Sequence, residues 1–209
     1  MKTLNIPYDR ELTCVSLPCR IDTYRFTENT DGPLVNIYSC HNKETLKFKF
    51  RVYEPVTKVK SLYPDFPREI NKDSTVSLLL QPYVKDPRNL ILRMNAAGAY
   101  FISFGQWYWN RADCTFEKNE FLKVTGDYCN LLKGSSAFWE VTAEIDLALL
   151  FGFLGVTEWK YSPGTLMRGN FLKIKKTPEK DAHFGMWNEV TQNTYHCYKS
   201  ALLGEFILE

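Results

Sequence analysis

The stretch Phe138-Trp139-Glu140-Val141-Thr142-Ala143-Glu144-Ile145-Asp146 decides the fold class. Successive side chains of an extended chain point to opposite faces. Trp139, Val141, Ala143 and Ile145 therefore share one side, and Glu140, Thr142, Glu144 and Asp146 the other. A period of two held over this length predicts a strand with one buried and one wet face. From Ile145 to Leu154 the alternation is lost, which predicts a helical turn after the strand. Further on, Met167–Phe171, His183–Asn188 and Leu203–Leu208 each sit at the edge of a short apolar run. Gly, Pro and polar residues separate them, so they read as strands joined by loops that carry aromatics, two His and an Arg.

Towards the N-terminus the same signature recurs. Leu46-Lys47-Phe48-Lys49-Phe50-Arg51-Val52 alternates cleanly, with its cations on the wet face. Ile21–Phe26, Leu34–Cys40 and Asp73–Leu80 are further strand candidates, the last stopped by Pro82. Leu90–Asn95 and Ala99–Phe104 form either a strand pair or one long bent strand around Ala97-Gly98. Residues 1–20, with Pro7 and Pro18, read as an edge or leader segment. Pro55, Pro64 and Pro67 make Glu54–Glu69 a long loop rather than a helix. The pattern gives roughly nine to eleven strands, almost no amphipathic helix, no internal repeat and no Ser/Gly linker. It predicts one domain over residues 1–209, an all-β sandwich with a jelly-roll-like, immunoglobulin-like two-sheet architecture.

Composition excludes several functions. The net charge is +2 with cations and anions mixed, so no basic stripe marks a nucleic-acid surface. No window approaches the roughly 18 apolar residues of a membrane helix. The six cysteines (Cys14, Cys19, Cys40, Cys114, Cys129 and Cys197) lack zinc-finger or CxxC spacing. The N-terminus has no apolar leader, so the chain as written is cytoplasmic with reduced thiols. It is extracellular or periplasmic if the initiating Met stands in for a removed leader. Walker, dinucleotide, HExxH and GxSxG motifs are absent, and Glu140, Glu144 and Asp146 read as a solvated strand face.

Aromatic residues stand out instead, at 15% of the chain. A sugar site needs flat rings for stacking on C–H faces and planar polar groups for hydroxyls. Three groupings offer such groups: Arg93 with Asn95; Trp107, Trp109 and Arg111; and Trp187 and Asn188 with Tyr195 and His196. Core packing and ligand stacking stand level for each Trp, as do a cross-strand ion pair and a sugar contact for Arg93. Asp31, Asp65, Asp113 and Asp127 form no ligand-spaced cluster, so calcium is left open without support and no cofactor is expected.

These residues carry a resemblance to the family 9 carbohydrate-binding modules and their bacterial family-9-like relatives. Its order runs through Lys72–Ser77, Arg93–Gly98, Trp139–Ile145, Arg168–Phe171, His183–Asn188 and Tyr195-His196 to Leu203–Phe206. The resemblance implies a β-sandwich that grips saccharide between two aromatic rings, commonly with structural calcium. Arg93 and Asn95 match its polar positions, and Tyr195, with Trp187 as the alternative, matches one stacking ring. Asn71 and Ser77 stand where the family has its first stacking Trp and its motif Glu, so Trp107 or Trp109 must supply the missing ring.

The expectation is thus a non-catalytic module, monomeric or weakly dimeric, that binds saccharide through Arg93, Asn95, Trp107, Trp109, Arg111, Trp187 and Tyr195. The rival readings are a haem-binding electron-transfer domain with Met94 and His183 or His196 as axial ligands, and a degenerate module for protein contacts. An enzyme would betray itself by a buried carboxylate–His cluster.

Overall fold

The computed structural model describes residues 1–25, 31–54, 59, 69–106, 110–113, 120–127, 138–176, 181–191 and 199–209, with the backbone alone at 69 and 71. Its strands are β1 (Thr3–Ile6), β2 (Cys19–Ile21), β3 (Thr23–Tyr24), β4 (Val35–His41), β5 (Thr45–Val52), β6 (Thr75–Gln81) and β7 (Asn89–Asn95). They continue with β8 (Tyr100–Gly105), β9 (Ala112–Asp113), β10 (Leu122–Gly126), β11 (Trp139–Asp146), β12 (Thr165–Lys175), β13 (His183–Met186) and β14 (Gly204–Leu208). Among the described residues one α-helix, α1 (Leu147–Phe153), follows β11, beside two short 3-10 turns at Glu69–Lys72 and Ser200–Leu202. The fourteen described strands exceed the nine to eleven expected. The surplus lies in pieces such as β3 and β9, which are too short to show a period.

The strands form two sheets. The smaller runs β10-β11-β5-β4-β2, and the larger β1-β14-β12-β6-β7-β8-β9, with β13 bridging β12 to β3. This is the all-β sandwich that the alternation predicts. On β11, Trp139, Val141, Ala143 and Ile145 are buried, and they lie opposite Val52, Phe50, Phe48 and Leu46 of β5. Those eight residues, with Ile21, Val35 and Ile37 of β2 and β4, are the small sheet's buried share of the core. The large sheet answers with Val76, Leu78, Leu80, Leu90, Leu92, Met94, Phe171 and Phe206. Asp146 ends β11 and caps α1, its carboxylate accepting from the Leu149 amide at 2.9 Å. A side-chain acceptor there satisfies one of the amides that a helix start leaves open.

The wet face of the small sheet carries an ion-pair ladder. Arg51 Nε lies 2.8 Å and Lys49 Nζ 3.3 Å from the Glu140 carboxylate. Lys47 at 3.1 Å and Lys123 at 3.4 Å flank Glu144. Glu140 and Glu144 are thus a charged strand face, as their alternation suggests. No helix among the described residues is long and apolar enough to cross a membrane.

Candidate functional site

The face of the large sheet turned away from the core is where the candidate residues gather. Strand register sorts its side chains into rows about 7 Å apart along the strands. One row reads Ile174–Thr75–Asn95, the next Leu172–Ser77–Arg93–Phe101, then Asn170–Leu79–Ile91–Ser103, and last Arg168–Gln81–Asn89–Gly105. This face is not simply wet. Leu79, Ile91, Leu172 and Ile174 form a second apolar cluster with Phe184, Met186, Val190 and Leu203. Part of its cover comes from the chain between β13 and β14, whose described ends are 187–191 and 199–203.

Asparagine side chains pin that strap. Asn170 Nδ2 donates to the Asn188 carbonyl at 2.9 Å, and the Asn188 amide donates back to Asn170 Oδ1 at 2.8 Å. Asn188 Nδ2 donates to the Leu202 carbonyl at 2.9 Å, and its Oδ1 accepts from the Lys2 amide at 2.7 Å. At the far end the Ser200 hydroxyl bonds the Gln81 side-chain carbonyl. Past Ser77 the cover thins, because Arg93 and Phe101 are only half-buried. Ser77 is fully buried, and its hydroxyl has no hydrogen-bond partner among the described residues.

The expected binding residues fare unequally. Arg93 stands on this outer face, between Ser77 and Phe101. Asn95 shares the face, but it is fully buried and serves the β7–β8 turn. Its Oδ1 accepts from the Ala97 and Ala99 amides at 3.1 Å, and its Nδ2 donates to Asp73 at 2.9 Å. Gly98 completes that turn at φ +81°, a conformation that favours glycine. The segment is therefore a hairpin rather than one bent strand. Arg111 also reaches this side of the sheet, one to two rows from Arg93. Its guanidinium donates to Ser103 Oγ, Asn89 Oδ1 and the Gly105 and Ser103 carbonyls, each at 3.1 Å. It locks the β7–β8–β9 corner.

Trp187 is corrected outright as a ligand ring. It is 4% exposed, with centroids 5.7 Å from both Phe171 and Phe206, so it fills the core between the sheets. A Trp that ends a strand at an inward-facing step looks the same in sequence as one on a loop tip. Trp107, Trp109 and Tyr195, and with them His196, lie outside the described residues. Phe101 escaped the sequence reading. Its signal was available, since Tyr100, Ile102 and Phe104 alternate against Phe101 and Ser103.

A buried carboxylate–His cluster does exist, between the sheets. Lys173 Nζ, fully buried, lies 3.1 Å from Glu54 Oε1 and 3.1 Å from His183 Nε2. Trp139 Nε1 donates to the same Glu54 oxygen at 3.2 Å, and the Ser74 hydroxyl bonds both Glu54 and Lys173. Burial opposes the charge on Glu54, but the Lys173 ammonium and these donors outweigh it and hold its carboxyl below the usual range. Burial drives Lys173 down to about 8. Burial, seconded by Lys173, drives His183 down to about 4. A general acid needs its carboxyl raised. This one is held ionised by neighbours that consume its lone pairs, which makes a structural ion pair. Met94, the haem reading's axial ligand, is fully buried in the core, and His183 is committed to Lys173 and to the Asp181 carbonyl at 2.9 Å.

No family model and no curated relative matches the chain. Solved structures do. A candidate carbohydrate-binding protein from Bacteroides uniformis ATCC 8492 superposes with a TM-score of 0.75 at 18% identity, over 100% of this chain and 99% of that one. A family 9 carbohydrate-binding module from Caldicellulosiruptor kristjanssonii matches with a TM-score of 0.63 at 15% identity, over 100% of this chain. It was solved with glucose and with cellotriose, and the match covers 96% and 94% of those chains. The chain therefore has the family-9-like carbohydrate-binding-module fold.

Proposed function

We propose that the chain is a non-catalytic module that binds saccharide on the outer face of its large sheet, around Arg93. One observation carries the reading: Arg93 and Phe101 stand side by side, half-buried, where the strap's cover ends. They do so on a fold that in C. kristjanssonii accommodates glucose and cellotriose. A guanidinium donates in a planar fork to paired hydroxyls, and a neighbouring ring offers its face to sugar C–H groups. Trp107 and Trp109, just after β8 in sequence, and Tyr195, between β13 and β14 in sequence, are the proposed stacking rings. In this reading Asn95 and Arg111 brace the turns beside the site, Trp187 packs the core behind it, and none of the three touches ligand. The reading requires no cofactor and no second subunit.

Calorimetric titration with glucose and cellotriose, preceded by a glycan array, tests it. A single small, hydrated ligand predicts Kd on the order of micromolar to millimolar. Arg93→Ala is expected to weaken binding about tenfold or more while Tm stays put, as for loss of one charged hydrogen-bonding group. Absence of any saccharide response, or an unchanged Kd in Arg93→Ala, overturns the proposal.

A further inference from the structure

Cys40 lies on the wet side of β4, beside Lys47, yet it is 1% exposed. What hides it is the loop after β1. The Pro7 carbonyl accepts from the His41 amide at 3.0 Å, the Asp9 amide donates to the His41 carbonyl at 2.8 Å, and Ser16 Oγ reaches the Ser39 carbonyl at 3.2 Å. These contacts lay residues 7–16 along β4. Within the loop the Asp9 carboxylate accepts from the Thr13 amide at 2.7 Å and the Cys14 amide at 3.1 Å. It thereby holds Leu12 and Cys14 at φ near +50°, a region that non-glycine residues seldom occupy. The product of that strained path is specific. The Cys14 side chain, 5% exposed, is buried beneath the loop on the same side of β4 as Cys40, and each is the other's foremost side-chain partner.

We propose that Cys14 and Cys40 are a disulfide-forming pair whose oxidation clamps the 7–17 loop onto the small sheet. Both thiols are free, and the loop's docking on β4 buries them against one another, so closing the roughly 2.05 Å of an S–S bond needs local adjustment of the loop rather than refolding. The loop is the surface side, with Val15 86% and Leu17 94% exposed, and the exchange requires it to swing outward and uncover both thiols. The oxidant is a low-molecular-weight disulfide of the glutathione type. The Cys40 thiolate attacks one sulfur of that disulfide and expels one thiolate, leaving a mixed disulfide on Cys40. The Cys14 thiolate then attacks the Cys40 sulfur and expels the second thiolate. Two protein thiols lose two electrons, one external disulfide becomes two thiols, and the two cysteine protons pass to the departing thiolates. Exchange begun at Cys14 instead reaches the same product with the same balance. Cys19, on the neighbouring strand, packs against the core and burial drives it up to about 12, which leaves it out of the exchange.

The full chain is equilibrated with oxidised glutathione, alkylated, digested and mapped by mass spectrometry, and its Tm is compared with that of the dithiothreitol-reduced chain. The expected result is a Cys14–Cys40-linked peptide, alkylated Cys19, and a Tm raised by about 5–10 °C for a closed loop of roughly 25 residues. Cys14→Ser, which alters only the surface loop, is expected to abolish both the linked peptide and the shift. Recovery of Cys14 and Cys40 alkylated, or of either joined to another cysteine, overturns the pairing. A linked peptide without a Tm shift overturns the clamp. Because the main comparison uses one unaltered chain in two redox states, a variant that misfolds does not weaken the test.

Discussion

At the residue scale, burial decides what each candidate does. Trp187 shows this most directly: its ring completes a cluster with Phe171 and Phe206. Trp187→Ala is expected to cost about 3–5 kcal/mol, typical of a large ring deleted from a packed core, read from urea midpoints. Any loss of saccharide binding in that variant would follow unfolding rather than a missing contact. His183 governs acid sensitivity. Its folded value of about 4 lies below the unfolded value near 6.5, so the unfolded chain takes the proton first as pH falls. Stability is therefore whole above pH 6.5 and drains between 6.5 and about 4, by on the order of 3 kcal/mol. His183→Gln should flatten that part of a stability-against-pH curve. An unchanged slope would assign the acid loss to other groups.

At the element scale, long strands were legible and their caps and straps were not. β5 and β11 announce themselves because one face is apolar and the other charged, and the register between them follows from that division. The outer face of the large sheet hides from such reading. Leu79 and Ile91 point away from the main core yet are buried, since Val190 and Leu203 come from far along the chain to cover them. Sequence shows Leu78-Leu79-Leu80 of β6 as a short apolar run among polar residues and cannot say that two different layers bury its two sides. For the same reason Arg93 and Phe101 could not be joined from sequence: their proximity is a matter of register across a hairpin. Asn188 joins the strap to β12 and to the first residues of the chain. Asn188→Ala leaves the Lys2 amide and the Leu202 carbonyl without their side-chain partner and is expected to cost about 1–3 kcal/mol. Hydrogen exchange should quicken first at 187–191 and 199–203, before the inner strands, if the strap opens as its own unit.

At the scale of the whole molecule, the two sheets are held by an apolar core and, among the described residues, by a polar cluster buried within it. Glu54 and Trp139 come from the small sheet's side, Lys173 and His183 from the large one. Breaking such a buried pair by removing one partner strands a charge; replacing both removes the problem. Glu54→Gln is expected to destabilise by roughly 3–5 kcal/mol, and the double variant Glu54→Gln, Lys173→Met to recover most of that in the same denaturation assay. Equal losses in single and double variants would show that the cluster acts through packing alone. Another long-range pairing sets a different property. β1 lies parallel to β14, with Thr3 opposite Glu205 and Ile6 opposite Leu208. Tension applied at residues 1 and 209 runs along these two strands in opposite senses, at right angles to the bonds that join them. Those bonds must then rupture together in shear instead of peeling apart one at a time, so the fold should resist stretching from its ends far better than a hairpin tugged open at its mouth.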